Sequence, residues 1–288
     1  MMVNIKFEDT RWVSIMTVGK SITSRKALAI PVTYLILFVS MLGVISLTYG
    51  FAITSLNSKA SYINVLIARQ NMYVLDDSML SVAWSPGASR TVYMADCDGI
   101  LQIQPKSKGL TLKISDGISF SDVIFNDYVG SVSYLLGASS QSFEGLYLRG
   151  DKRVIVNGNT YTTTRLHFIR GDDGRPQLVL TYRPMVIATC LRMDNGEPLN
   201  LIRVHVLSLK SSEPLEINGN IYLRIIALNV TSYSRKYILN AGVSSLTIEA
   251  LIDDSRGAIQ LPIVNSENGA IASLDVLIAH VKVQRVTP

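Results

Sequence analysis

The hydrophobic pattern is dominated by one long apolar block near the N-terminus. From Ala27 to Ser58 no side chain is charged, and as far as Thr54 the residues are mostly Leu, Ile, Val, Phe, Ala and Met. About 20 such residues in helical form cross a bilayer, so the block predicts a transmembrane helix over 28–54. The apolar rhythm then thins without stopping. Leu56, Ile63, Leu66, Ile67 and Val74 recur at helical spacing, while Asn57, Lys59, Asn64 and Asp76 fall elsewhere. No Pro or Gly interrupts Phe51 to Trp84. One continuous helix is therefore expected, with an amphipathic stem over 55–84 that Ser85-Pro86-Gly87 ends.

Over residues 88–288 the pattern changes to short β-rich runs separated by turn residues. The runs are Arg90 to Met94, Ile100 to Gln104, Leu110 to Ile114, Val154 to Val156, Tyr161 to Ile169 and Gln177 to Tyr182. Later ones are Leu199 to Leu207, Ile221 to Val230, Ser244 to Ile252 and Leu274 to Val286. Alternation is plain in Leu110-Thr-Leu-Lys-Ile114, and in Val204-His-Val-Leu-Ser-Leu209 after a one-residue break. The predicted class is α+β: a long N-terminal transmembrane and amphipathic helix followed by an antiparallel β-sandwich-like domain, as one sandwich or two. Val156-Asn-Gly-Asn-Thr-Tyr161 and Ile217-Asn-Gly-Asn-Ile-Tyr222 resemble each other. Asn-Gly accepts the positive φ of a tight turn, so two hairpins are predicted.

Charge gives the block an orientation. Lys6, Arg11, Lys20, Arg25 and Lys26 precede it, whereas Lys59 and Arg69 alone follow it closely. The positive-inside rule puts the N-terminus in the cytoplasm and everything after the single span outside the cell. The formal net charge of +5 is concentrated in the first 26 residues, and the remainder holds 22 basic and 20 acidic residues. No basic run beyond the span suggests a nucleic-acid partner.

Arg25-Lys26-Ala27-Leu28-Ala29, on the cytoplasmic edge of a long apolar helix, resembles the class III signal peptide of type IV pilin-like proteins. The resemblance implies that a prepilin peptidase cuts after Ala27, with Lys26 as the basic residue before the small one and Leu28 as the new N-terminus. It covers residues 25–84 and is architectural beyond: a helix first apolar, then amphipathic, leading into a β-rich outer domain. Val32 occupies the fifth mature position, where bacterial members usually carry a glutamate and archaeal members often do not. The absence of that glutamate favours an archaeal-type protein or a non-assembling relative. In that family the apolar half leaves the lipid and packs against its copies in a filament.

Few residues suggest other chemistry. His167, His205 and His280 each lie alone in a strand-like run, without metal-ligand spacing. Cys97 and Cys190 are isolated, and either a disulfide or burial as small hydrophobes fits them. Asp96-Cys-Asp-Gly99 and Asp172-Asp-Gly174 read as turns rather than calcium loops, because neither continues with EF-hand spacing. Arg149-Gly-Asp151 and Arg170-Gly-Asp172 spell a tripeptide that some adhesion receptors read, and again suit exposed turns. Asn229-Val230-Thr231 is the one N-glycosylation sequon, expected at a strand end.

The expectation is a single-pass protein of the cell membrane with an extracellular C-terminal domain. It would be structural or adhesive rather than enzymatic, and would need no cofactor or metal. Its partners would be the bilayer, the prepilin peptidase if it is processed, and copies of itself or other pilin-like subunits. The alternative is an unprocessed anchor that carries a ligand-binding or enzymatic β-sandwich.

Overall fold

The computed structural model describes residues 25–137, 144–158, 162–171, 173–192 and 198–286, with only the backbone described for 25–30 and 192. The chain divides into two compact units, Met1–Ser55 and Leu56–Pro288. Helix α1 (Arg25–Val82) is unbroken, as the uninterrupted apolar pattern predicts. Its end is fixed by backbone bonds: the Ser85 N–H donates to Val82 O (2.8 Å) and the Gly87 N–H to Ala227 O (2.8 Å). Gly87 sits at φ +83°, a turn conformation that glycine adopts without steric cost.

The strands that follow are β1 (Ser89–Met94), β2 (Ile100–Gln104), β3 (Gly109–Ser115), β4 (Ser121–Tyr128), β5 (Ser131–Leu135), β6 (Tyr147–Arg149), β7 (Val156–Asn157) and β8 (Thr164–Arg170). They continue as β9 (Pro176–Tyr182), β10 (Met185–Arg192), β11 (Pro198–Ser208), β12 (Leu215–Asn218), β13 (Ile221–Leu239), β14 (Ser245–Ile252), β15 (Ser255–Pro262) and β16 (Ala270–Arg285). They form a first sheet ordered β1-β13-β16-β11-β10-β7, a second ordered β12-β2-β5-β9-β8-β6, and a third ordered β15-β14-β3-β4. The α+β class is as expected. The pairing is largely antiparallel, but β11 runs parallel to β16 and β7 parallel to β10.

Two hydrophobic cores share the first sheet as a wall. In one core, Leu223, Ile225, Val281 and Val283 of that sheet meet the packed face of α1 and the inner face of the second sheet, including Leu101, Val132, Leu166, Phe168 and Leu180. In the other, Ile202, Val204, Leu274 and Val276 face Leu112, Ile114, Leu246 and Ile248 of the third sheet. Along β16 the even residues Ala270 to Ile278 enter the second core and the odd residues Ala279 to Val283 the first. Neighbouring side chains on a strand point to opposite faces, so the two cores lie on opposite faces of one sheet. On β11 the handover falls between Val206 and Leu207, whose partners on β16 are Ile278 and Ala279. On β13 a bulge between Ala227 and Asn229 keeps the long strand in phase with the change.

Two expectations are corrected here. The Asn-Gly turns do not make hairpins: Asn218-Gly219-Asn220 leads from β12 in the second sheet to β13 in the first, and Asn157-Gly158 leaves β7 in the first sheet ahead of β8 in the second. Gly158 and Gly219 do take positive φ, but the chain uses the sharp turn to change sheets. The predicted helical stripe is also rotated. Ile67 and Val74 pack against the core as expected, but Leu56, Ile63 and Leu66 are exposed, and the fully buried face is Val65, Ala68, Met72, Leu75, Met79 and Val82.

Candidate functional site

The feature that most sets this chain apart is α1 itself, because it holds two surfaces of opposite kind. Leu35, Phe38, Leu47 and Phe51 are among a run of large apolar side chains from Val32 to Ile53 that the protein leaves exposed, Leu47 at 78% and Phe51 at 77%. The whole helix is long and apolar enough to span a membrane or to act as a signal. Pro31 to Thr54 alone extends about 36 Å at 1.5 Å per residue, slightly more than a hydrocarbon core of about 30 Å. Ser40 donates to Leu37 O (2.8 Å) and Thr48 to Val44 O (2.8 Å), so both hydroxyls are satisfied within the helix and stay compatible with an apolar solvent.

Arg25, Lys26, Ala27 and Leu28 form the first turn of α1. Pro31 lies inside the helix, and a proline has no N–H for the carbonyl four residues earlier. That carbonyl belongs to Ala27.

From Val65 onward the helix is a core element. Each large apolar side chain buried there contributes about 1.5–3 kcal/mol, so Met72, Leu75 and Met79 tie the helix firmly to the strands. Asp76 lies in the middle of this face and is fully buried. Its Oδ1 accepts from Thr164 Oγ1 (2.8 Å) and Tyr182 Oη (2.9 Å), and its Oδ2 from Arg149 Nη1 (2.6 Å). Arg149 also reaches Asp77 Oδ1 at 2.5 Å and lies over the Tyr73 ring, 4.9 Å from its centroid. Burial holds the Asp76 carboxyl above the ordinary carboxylate range, against the downward pull of the bonds from Thr164, Arg149 and Tyr182. The Asp77 and Asp76 carboxylates hold the Arg149 guanidinium protonated. Asn71 adds a second polar clamp, with its Nδ2 donating to Ala95 O (2.7 Å) and its Oδ1 accepting from the Ala95 N–H (3.2 Å).

The tripeptide Arg149-Gly-Asp151 is used internally. Arg149 belongs to the Asp76 cluster, and Asp151 Oδ1 lies 2.6 Å from Nη1 of the buried Arg183. Arg153 and Arg183 hold the Asp151 carboxyl well below the usual carboxylate range. Gly150 stands at φ +74°, and a Cβ there would come 2.2 Å from Thr164 O. In the second copy Arg170 donates to Gly174 O across the β8–β9 turn (3.3 Å), while Asp172 lies outside the described residues.

The remaining candidates are dispersed. Cys97 is buried, Cys190 is exposed, and both are free thiols, which removes the disulfide. Burial pushes the Cys97 thiol up. The Asp98 N–H donates to Asp96 Oδ1 (3.0 Å) and the Arg175 N–H to Asp173 Oδ1 (3.0 Å), so both acidic stretches are turns, as expected. Among the described residues no three His, Cys, Asp or Glu side chains gather as metal ligands would. His205 meets Trp84 edge to face at 5.0 Å, and His280 bonds Thr231 Oγ1 at 3.0 Å. Asn229 is exposed as expected, but it lies within β13 beside the bulge and not at a strand end.

Compared with protein-family models, curated proteins and solved structures, the chain gives no match. The protein is thus defined by its architecture: a long apolar N-terminal helix followed by a β-sheet domain, an arrangement like that of pilins.

Proposed function

We propose that the chain is a membrane-anchored cell-surface subunit of the archaeal type IV pilin-like kind, structural or adhesive in its work. Residues 1–27 are a cytoplasmic leader removed by a prepilin peptidase, and the remainder is a single-pass protein with its β domain outside the cell. Lipid covers the apolar half of α1 until copies of the same chain, or of related subunits, replace it. The observation that carries this reading is the division of one helix into an exposed apolar half and a half built into a β core. Apolar surface on that scale demands a nonaqueous partner.

Pro31 supports the position of the cut. It leaves the Ala27 carbonyl without its helical hydrogen bond, and that carbonyl belongs to the Ala27–Leu28 bond. After cleavage Pro31 falls among the first four residues of the helix, whose N–H groups have no partner anyway. An outside location also exposes Asn229 to glycosylation.

Cysteines introduced at Phe38 and Ile45, in a Cys190→Ser background, test assembly through α1 by oxidative crosslinking in the native membrane. A ladder of multimers is expected. Monomers alone would leave an unprocessed single-span anchor as the better description.

A further inference from the structure

The second sheet has an outer face unlike its inner one. Leu166, Phe168, Leu178 and Leu180 point into the core, so their neighbours on β8 and β9 point away from it. There they line a cleft of about 380 Å³, walled on the far side by the β14–β15 turn and Lys108. This volume lies within the range of small-ligand pockets.

The floor of the cleft is both polar and buried. Ser131, Ser133 and Thr181 are each at most 5% exposed. Ser133 Oγ accepts from Gln177 Nε2 (2.9 Å), and Ser131 Oγ shares a hydrogen bond with Ser107 Oγ (2.7 Å). Beside them, Arg165 Nε and His167 Nδ1 are buried with no hydrogen-bond partner among the described residues. A buried polar atom left unsatisfied is costly, and Arg165 Nε, a donor, together with His167 Nδ1, a donor or acceptor according to the ring tautomer, points to polar groups supplied from outside the fold. Tyr147 stacks on the His167 ring at 5.0 Å and 16°, which fixes its plane. Burial, with Arg165 and Lys108 nearby, pushes the imidazole down to about 4, so it is neutral at pH 7.

Charge narrows the ligand further. Lys108 is already paired with Asp253 at 2.7 Å, whereas no carboxylate among the described residues pairs with Arg165. One guanidinium without a carboxylate partner among the described residues suits a single carboxylate, and Asp254 on the wall opposes a dianion such as phosphate. An apolar ligand would strand the floor hydroxyls. We propose that this cleft binds a short saccharide bearing a carboxylate, with Arg165 holding the acid and Ser133, Thr181 and Gln177 meeting ring hydroxyls. The inference needs only the folded β domain and holds whether or not the chain assembles.

The test is calorimetric titration of the full chain in lipid nanodiscs with D-glucuronate, D-glucose and acetate. Saturable glucuronate binding is expected, with glucose and acetate each at least tenfold weaker. Arg165→Gln weakens glucuronate binding at least tenfold, and Ser255→Trp, at an exposed position of the wall, abolishes it by filling the mouth. If Arg165→Gln fails to fold, Ser255→Trp carries the test alone. Absence of glucuronate binding, acetate binding as tight as glucuronate, or affinity unchanged by Ser255→Trp would overturn the proposal.

Discussion

Asp76 of α1 and Tyr182 of β9, 106 positions apart in the chain, meet at 2.9 Å inside the protein. The same carboxylate receives Thr164 and Arg149, so one helical side chain gathers three strands of the second sheet. Removing it strands the Thr164 hydroxyl and part of a guanidinium, and leaves Tyr182 Oη only the weak acceptor Met79 Sδ at 3.2 Å. Asp76→Ala is therefore expected to cost about 3 kcal/mol, the low end for breaking a buried pair, because Arg149 keeps Asp77. Urea unfolding of the full chain in detergent measures it, and a loss below about 1 kcal/mol would contradict the account.

The pH dependence of stability follows from His167. Its folded-state pKa is lowered from 6.5 to about 4, mainly by burial and then by Arg165 and Lys108. The folded protein therefore binds fewer protons than the unfolded chain between those values. The contribution is fully present above pH 6.5 and is lost as pH falls towards 4, by about 3 kcal/mol at most. Asp76 works with the opposite sign: its raised pKa stabilises below the ordinary aspartate range and that gain is lost as pH rises through the folded value. The clean reading is thus the stability of wild type relative to His167→Gln, which should fall as pH is lowered from 7 to 4. An unchanged difference would remove His167 from the explanation.

Gly150 separates two residues that are each tied into the fold, Arg149 and Asp151. A side chain there meets both a positive φ and the Thr164 carbonyl. Gly150→Ala should lower stability by at least about 2 kcal/mol, since the left-handed conformation alone costs about 1–2 kcal/mol for an L-residue. The same geometry predicts that a soluble Arg-Gly-Asp peptide will not compete with any adhesion the protein shows. Competition would mean that Arg149 and Asp151 open to a receptor.

Gly43 and Gly50 lie about two turns apart on one side of α1, and a Cβ on either meets nothing within 4 Å. Leucine at both positions should leave the melting temperature of the isolated subunit unchanged. Assembly is different, because small residues let helices approach closely. The double substitution is expected to shorten or abolish filaments in electron micrographs of cells carrying the variant. Normal filaments would place the contact on another side of the helix.

The helix and most strands were legible from periodicity because burial there follows a simple rule. The break in Val204-His-Val-Leu-Ser-Leu209 was a real signal: Val206 and Leu207 are consecutive because each serves a different core. Other elements were hidden by the same physics. Ser131 and Ser133 of β5 are buried on a polar face, so no apolar alternation marks that strand. The far half of β13 pairs only with β16 and exposes Ser234 to Lys236, so its pattern fades after Val230. The packed face of α1 became visible only with Ala68, Met72 and Met79 counted as apolar positions. Asp76 falls four residues after Met72 and three before Met79, yet its partners Arg149 and Thr164 lie 73 and 88 positions away, beyond the reach of any local pattern.

The central claim is that α1 of the mature chain begins at Leu28 and is retained as the membrane and assembly helix. Intact mass together with N-terminal sequencing of protein extracted from its native membrane tests this most directly. The account predicts a single species starting at Leu28. A chain that keeps residues 1–27, or one cut within or after the apolar half of α1, would contradict it.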